Sequence, residues 1–126
     1  MISSVKLISD IFDIGYVEIS AQDLPVILGR SERADITIND GLLSRLHSEI
    51  RLLPIGSLEV RDLDSTNLTI VNEVDVSQSI LQDGDVLLVG DTRITIGLEF
   101  DDDESMSRTT RDLTIFPGPA DETVAD

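Results

Sequence analysis

Short segments in which apolar and polar residues alternate, each ended by turn residues, dominate residues 1–100. In one of them, Leu46, Ser48, Ile50 and Leu52 fall on one face, and the opposite face carries His47, Glu49 and Arg51. Residues 94–100 repeat this pattern. Because successive side chains of a β-strand point to opposite faces, this period of two predicts half-buried strands.

Other segments predict further strands and frequent turns. They are residues 5–9, 16–19, 26–28, 35–38, 58–60, 68–71 and 86–89. Val5, Ile8 and Phe12 also fit a helical spacing, so the first segment leaves a helix open. Leu58 and Val60 are expected to face the core, opposed by Glu59 and Arg61, and residues 72–79 are expected to form a polar connection. Many short strands with turn signals between them predict an all-β, antiparallel β-sandwich.

Composition limits the classes of partner and compartment. The formal net charge is −16 and the chain contains no cysteine. An acidic surface repels nucleic acid and anionic membranes, and the absence of thiols excludes disulfides and thiolate metal sites. No apolar run approaches the roughly 20 residues of a membrane span, and residues 1–9 do not resemble a signal peptide. We therefore expect a cytoplasmic protein that binds neither nucleic acid nor membrane.

The character of the chain changes after Phe100. Residues 101–104 are all acidic, and residues 105–126 contain two prolines and little periodicity. Such a segment buries too little apolar area to offset the conformational entropy lost on ordering. The sequence predicts a domain over residues 1–100 and a flexible acidic tail or linker over residues 101–126.

The predicted loops carry groups that suit a phosphate. Gly29-Arg30 follows one strand, Ser44-Arg45 and His47 precede another, and Ser65-Thr66-Asn67 lies between two more. A guanidinium offers a planar fork of donors to phosphate oxygens, and hydroxyl and amide groups add directional hydrogen bonds. Screening over roughly 8 Å at physiological salt allows such a local site on an acidic protein.

This set of residues resembles the forkhead-associated (FHA) domain, a phosphothreonine-binding β-sandwich of the FHA/SMAD-like type. The resemblance rests on Gly29-Arg30, Ser44 with His47, and Ser65-Thr66-Asn67, and continues through Val71-Asn72 and the run from Leu81 to Asp85. It covers residues 5–100, approximately.

The resemblance implies a role for each of these residues. Arg30, Ser44, Arg45 and Thr66 would bind the phosphate, and Asn67 would bind the peptide main chain. Gly29 and His47 would support the loops, so the single histidine is not expected to be catalytic. Two alternatives remain from the residues themselves: a salt bridge from Arg45 to Asp40 or Asp64, and a simple turn-capping role for Thr66 and Asn67.

One position departs from the family pattern. FHA domains usually have a glycine after the asparagine, and here the residue is Leu68. Leucine resists the positive φ that glycine allows. Either this loop avoids that conformation or it is strained.

The resemblance predicts a non-enzymatic module that binds phosphothreonine-containing proteins in a Ser/Thr kinase pathway. This module would be part of a larger regulatory protein or would be regulated by its own tail. No cofactor or metal is expected, because Asp83-Gly84-Asp85 lacks the ligand spacing of a calcium loop. An aspartate follows Thr109 and Thr123 at the third position, and these residues and Thr110 are candidate phosphoacceptors. The alternative is an FHA-type module for phosphate-independent protein interaction or oligomerisation.

Overall fold

Eleven strands form two packed sheets in the computed structural model, which describes residues 1–101. The strands are β1 (Ile2–Ile8), β2 (Tyr16–Ser20), β3 (Val26–Gly29), β4 (Ile36–Thr37), β5 (Ser48–Leu52), β6 (Leu58–Asp62), β7 (Thr69–Val71), β8 (Val74–Val76), β9 (Gln78–Leu81), β10 (Val86–Val89) and β11 (Thr92–Phe100). A single 3₁₀ turn, Ala21–Asp23, follows β2. The expected tail beyond residue 101 lies outside the described residues.

The two sheets form the predicted sandwich. One sheet has six strands in the order β2-β1-β11-β10-β7-β8, and the other has five in the order β4-β3-β5-β6-β9. All the pairs are antiparallel except the short contact of β3 with β4, where Leu28 lies opposite Ile36 and Gly29 opposite Thr37. The all-β sandwich is therefore confirmed, with one parallel pair at an edge.

The core lies between the sheets and follows the predicted alternation. Its most deeply buried members include Val5, Leu7, Leu28, Ile50, Val60, Leu87, Ile94 and Ile96. β1 pairs with both β2 and β11, so the helical alternative for this segment is wrong. At the end of β11 the alternation no longer implies burial, because Phe100 is 60% exposed.

The β5 region corrects one face assignment. The strand begins at Ser48, and Leu46, expected in the core, lies on the preceding loop with 39% of its surface exposed. His47, expected on the outer face, is fully buried. The polar contacts of the imidazole, described below, outweigh the simple alternation at this point.

One further expectation was wrong. Residues 72–79 were expected to be a polar connection, but they include β8 and the start of β9. Asn72 and Glu73 have φ values of 49° and 72°, which fit the tight turn of a two-residue hairpin. The face assignment of β6 is confirmed, since Leu58 and Val60 lie in the core and Glu59 pairs with Arg51 on the opposite face. Glu59 is nonetheless buried there, and its carboxylate accepts a hydrogen bond from Arg51 Nε at 2.7 Å.

Candidate functional site

Three loops meet at one end of the sandwich and share main-chain hydrogen bonds. They connect β3 to β4, β4 to β5, and β6 to β7. The amide of Arg30 donates to Ser44 O at 3.0 Å, and the amide of Ser31 donates to Arg45 O at 3.1 Å. The first loop is thereby fixed against the second.

Gly29 allows this close approach. A Cβ at this position would lie 2.0 Å from Arg45 O and 2.8 Å from Arg45 C, both of them main-chain atoms. No side chain fits at such distances without displacing the loop that carries Ser44 and Arg45. The supporting role expected for Gly29 therefore has a steric basis.

His47 joins the second loop to the third. The amide of Ser44 donates to His47 Nδ1 at 3.0 Å, and His47 Nε2 lies 2.7 Å from Leu68 O. Because an amide N–H can only donate and a carbonyl can only accept, Nδ1 must be unprotonated and Nε2 must carry the proton. The ring is thus the neutral Nε2–H tautomer with both nitrogens occupied, and neither is free to act as a general base.

Ser44 and Thr66 contact each other directly across two loops. The amide of Thr66 donates to Ser44 Oγ at 3.0 Å. Since Ser44 Oγ accepts this bond, its own O–H remains available to donate elsewhere. Both residues lie at the surface, Ser44 partly and Thr66 largely exposed.

Arg30 is anchored at one nitrogen and open at the other two. Its Nε donates to Leu43 O at 3.0 Å, while the side chain lies at an exposed position next to Ser44. Within residues 1–101 the ion pairs are Arg51 with Glu59 and Arg61 with Glu49, and neither involves Arg30. The terminal amino groups of Arg30 are therefore not neutralised by a carboxylate of the described domain.

Arg45 is exposed on the second loop, next to Ser44. The alternative of a salt bridge to Asp40 or Asp64 is not what the structure shows, since Arg45 pairs with neither. Asp40 is engaged instead by the amides of Leu42 and Asp91. The Arg45 guanidinium thus adds a second cation to the loop end of an acidic domain.

Asn67 is held in the same cluster. Its Nδ2 donates to Leu42 O at 2.8 Å, which leaves the Oδ1 acceptor and one N–H open. The following residue, Leu68, has a φ of 69°. The loop therefore keeps the left-handed conformation that suits a glycine, and the leucine side chain bears the strain.

Asp40 ties the second loop to the turn between β10 and β11. Its carboxylate accepts hydrogen bonds from Leu42 N at 2.9 Å, Asp91 N at 2.7 Å and Thr92 Oγ1 at 2.7 Å. Burial opposes the charge of Asp40, but the bonds from Thr92, Leu42 and Asp91 outweigh it, so the pKa of Asp40 lies below its ordinary value.

Asp62 stabilises the third loop in the same way. Its carboxylate accepts from Ser65 N at 3.0 Å, from Ser65 Oγ and from Thr69 Oγ1 at 2.6 Å. Because Thr69 gives its proton to Asp62, Ser48 Oγ donates in turn to Thr69 Oγ1 at 2.7 Å. Burial raises the pKa of Asp62, but these hydrogen bonds outweigh it and lower the pKa overall.

The structure brings together every predicted site residue within residues 1–101. Arg30, Ser44, Arg45, Thr66 and Asn67 lie on the three loops, with Gly29 and His47 beneath them. Thr109, Thr110 and Thr123 lie outside the described residues. Sequence reasoning missed Asp40 and Asp62, although a carboxylate three residues before a loop serine is a recognisable capping signal.

Comparison with known proteins identifies this arrangement. The FHA domain profile matches residues 26–90, which contain all three loops. The chain belongs to the FHA family.

Solved FHA domains share both sequence and fold with the chain. One, from a structural and functional analysis of phosphothreonine-dependent FHA domain interactions, is 32% identical with a TM-score of 0.67, over 76% of this chain and 97% of that one. The FhaA FHA domain, solved in complex with the intracellular domain of another protein, is 34% identical with a TM-score of 0.63, over 73% of this chain and 98% of that one.

Among curated proteins, the glycogen accumulation regulator GarA of Mycolicibacterium smegmatis is 38% identical over 52% of this chain and 41% of its own length. An ABC transporter ATP-binding/permease protein of Mycobacterium tuberculosis is 42% identical over 52% of this chain and 7% of its own length. The match thus spans less than half the length of these relatives. FHA domains accordingly occur in regulators and as parts of larger proteins.

The part of the chain that the structure describes holds no cluster of three or more metal-binding side chains. In the Asp83-Gly84-Asp85 turn, Asp83 accepts from Leu98 N at 2.8 Å and Asp85 accepts from Gln82 N at 2.8 Å. These carboxylates stabilise the turn. Residues 1–101 also contain no helix with the length and hydropathy needed to cross a bilayer.

Leu68→Gly is expected to stabilise the domain. Glycine relieves the strain of the left-handed conformation, and Leu68 is exposed, so little burial is lost. After the larger unfolded-state entropy of glycine is subtracted, we expect a gain of about 0.5–1 kcal/mol in the free energy of unfolding, measured by urea denaturation. Leu42→Gly is the matched control: this exposed leucine has no positive φ, so the same change should destabilise. Equal destabilisation by both substitutions would contradict strain at Leu68.

Asp40→Asn is expected to reduce stability in a pH-dependent way. Because the pKa of Asp40 is lowered in the folded state, its charge stabilises the fold above the unfolded-state pKa of about 3.9, and this contribution is lost as pH falls through the lower folded-state value. We expect the free energy of unfolding to fall by about 1–2 kcal/mol at pH 7, and to differ less from that of the unsubstituted chain at pH 3. Urea denaturation at both pH values measures it, and an equal difference at the two would refute the assignment.

Proposed function

We propose that this FHA domain binds phosphothreonine-containing protein segments through the three-loop face. The proposal rests on two donors of adjacent loops that remain available: the terminal amino groups of Arg30 and the hydroxyl of Ser44. Arg30 is fixed by its bond to Leu43 O and Ser44 by its bond from Thr66 N, so neither needs large rearrangement to meet an anion. Preorganised donors lose less entropy on binding than mobile ones.

The phosphate would meet four groups. Arg30 provides the main electrostatic contact and Arg45 a second cation, while the Ser44 hydroxyl donates and Thr66 completes the loop side of the site. Charge-assisted hydrogen bonds are shorter and stronger than neutral ones. A doubly charged phosphate would thereby be held locally on a chain whose net charge is −16.

The peptide main chain would meet Asn67. The amide is oriented by its bond to Leu42 O and keeps one acceptor and one N–H, which match an N–H and a C=O of an extended peptide. Leu68 keeps the positive φ despite its side chain, which supports the expected orientation of Asn67. This removes one reason to prefer the alternative of a phosphate-independent surface.

An enzymatic role is disfavoured by the state of the single histidine. Both ring nitrogens are occupied by main-chain partners, and the ring is fully buried. Within residues 1–101 no cysteine is present. We propose a binding module that acts in a Ser/Thr kinase pathway, with the kinase supplying the phosphothreonine.

The decisive experiment is a binding screen of the 126-residue chain against oriented phosphothreonine, phosphoserine and unphosphorylated peptide libraries. Arg30→Ala should weaken phosphothreonine binding at least about tenfold, because a charge-assisted bond contributes roughly 1.5–3 kcal/mol. Fluorescence anisotropy or calorimetry with the selected peptide measures this loss.

Arg93→Ala is the matched control, since it removes the same charge from an exposed arginine on β11 and should leave affinity nearly unchanged. Equal binding of phosphorylated and unphosphorylated peptides would favour the phosphate-independent alternative. Unchanged affinity in Arg30→Ala would remove Arg30 from the site.

A further inference from the structure

An apolar groove of about 360 Å³ opens at the end of the sandwich away from the three loops. Its floor includes Leu58 and Leu81, which are core residues, and its rim includes Ile80 and Phe100, exposed by 45% and 60%. Leu98, partly buried, also lines it. Large exposed apolar side chains grouped around a groove are typical of a surface that another segment covers.

The groove is remote from the phosphate-binding face. β11 begins at Thr92, whose hydroxyl donates to Asp40 on the second loop, and ends at Phe100 on the groove rim. Nine antiparallel residues span about 27 Å from first to last Cα. The groove is therefore a separate surface.

The chain itself supplies an occupant close by. Residues 102–126 follow directly from the rim, and their large apolar residues are Met106 and Val124, each alone, and a group formed by Leu113, Ile115 and Phe116. In an extended conformation Leu113 and Ile115 project to the same side. Pro117 follows, and a proline cannot continue strand pairing. We propose that residues 113–116 dock in this groove, with the apolar side chains inserted.

Tether length and charge agree with this occupant. Eleven residues, 102–112, separate the described domain from Leu113. A flexible tether of eleven residues has a root-mean-square span of about 17–20 Å, and tethers of this kind give effective concentrations near ~1 mM. Even a weak apolar contact is populated under these conditions. The one charged residue lining the groove is Asp83, whose carboxylate already accepts from Leu98 N. Docking of residues 113–116 would leave the acidic residues 102–104 in solvent.

The size of the groove favours a short segment over a second copy of the domain. Stable protein–protein interfaces bury at least about 1,200 Å² in total. A groove of about 360 Å³ accepts only a few side chains, which suits a short segment. Docking would also hold Thr109 and Thr110 at the end of the domain opposite Arg30 and Ser44.

A spin label tests the proposal directly, because the chain contains no cysteine. Ala120→Cys is labelled with a nitroxide in the 126-residue chain, and methyl NMR intensities are measured with the label oxidised and reduced. We expect intensity loss at Ile80, Leu81 and Leu98, and none at Leu46 and Leu68 on the opposite end.

Two tail variants complete the test. Leu113→Ser with Ile115→Ser and Phe116→Ser should abolish the loss, whereas Met106→Ser with Val124→Ser should preserve it. All five positions lie outside the described domain, so its folding is not at issue. The proposal is overturned if the loss of methyl intensity is uniform over the domain, or if it persists in the triple variant.

A mixed sample identifies the source of the tail. Spin-labelled chains at natural isotope abundance are added in excess to isotope-labelled chains that carry no nitroxide. Docking within one chain predicts no intensity loss in this sample. A loss of methyl intensity at Ile80, Leu81 and Leu98 in the mixed sample would show that the tail of a second copy occupies the groove. That result would refute docking within the chain.

Discussion

His47 is the contact on which the loop geometry depends. Its amide donates to Leu28 O on β3, and its carbonyl accepts from Leu63 N after β6. Its ring accepts from Ser44 N and donates to Leu68 O. One fully buried residue therefore joins β3 and the loops that carry Ser44, Thr66 and Asn67. A buried polar group with every partner in place fixes a single geometry, because any displacement leaves a desolvated donor or acceptor unpaired.

The acidic residues of the loops support a cationic site. The carboxylates of Asp40 and Asp62 accept hydrogen bonds from main-chain amides and from hydroxyls. Neither carboxylate pairs with Arg30 or Arg45. The two arginines thus remain unpaired within residues 1–101, at one end of a strongly acidic chain. A net charge of −16 and an anion site are compatible because the relevant charges act over a few ångströms, well inside the screening length of about 8 Å.

The sequence predicted the sandwich where alternation and burial agree, as in β1 and β11 up to Ile96. It failed where a specific polar contact overrides alternation. His47 lies buried on account of a hydrogen-bond partner 21 residues further along the chain, Leu68 O, which no local pattern reveals. β8 and β9 were missed because Asn72-Glu73 lacks the glycine that normally marks such a turn.

The loop residues followed from motif resemblance, and the residues that fix them did not. Nothing in the order Arg30, Ser44, Asn67 shows that Leu42 O and Leu43 O orient two of these side chains. The conformation of Leu68 was also undecided from sequence, since leucine disfavours a positive φ but tertiary contacts can impose it. Here the bond from His47 to Leu68 O is one such contact.

The most direct test is long-range ¹H–¹⁵N NMR of the single imidazole in the 126-residue chain at neutral pH. A neutral ring bridging Ser44 N and Leu68 O predicts a proton on Nε2, an unprotonated Nδ1, and the same state after a phosphothreonine peptide is added. A proton on Nδ1, or fast averaging of the two tautomers, would contradict the bridge and with it the preformed geometry of the loops.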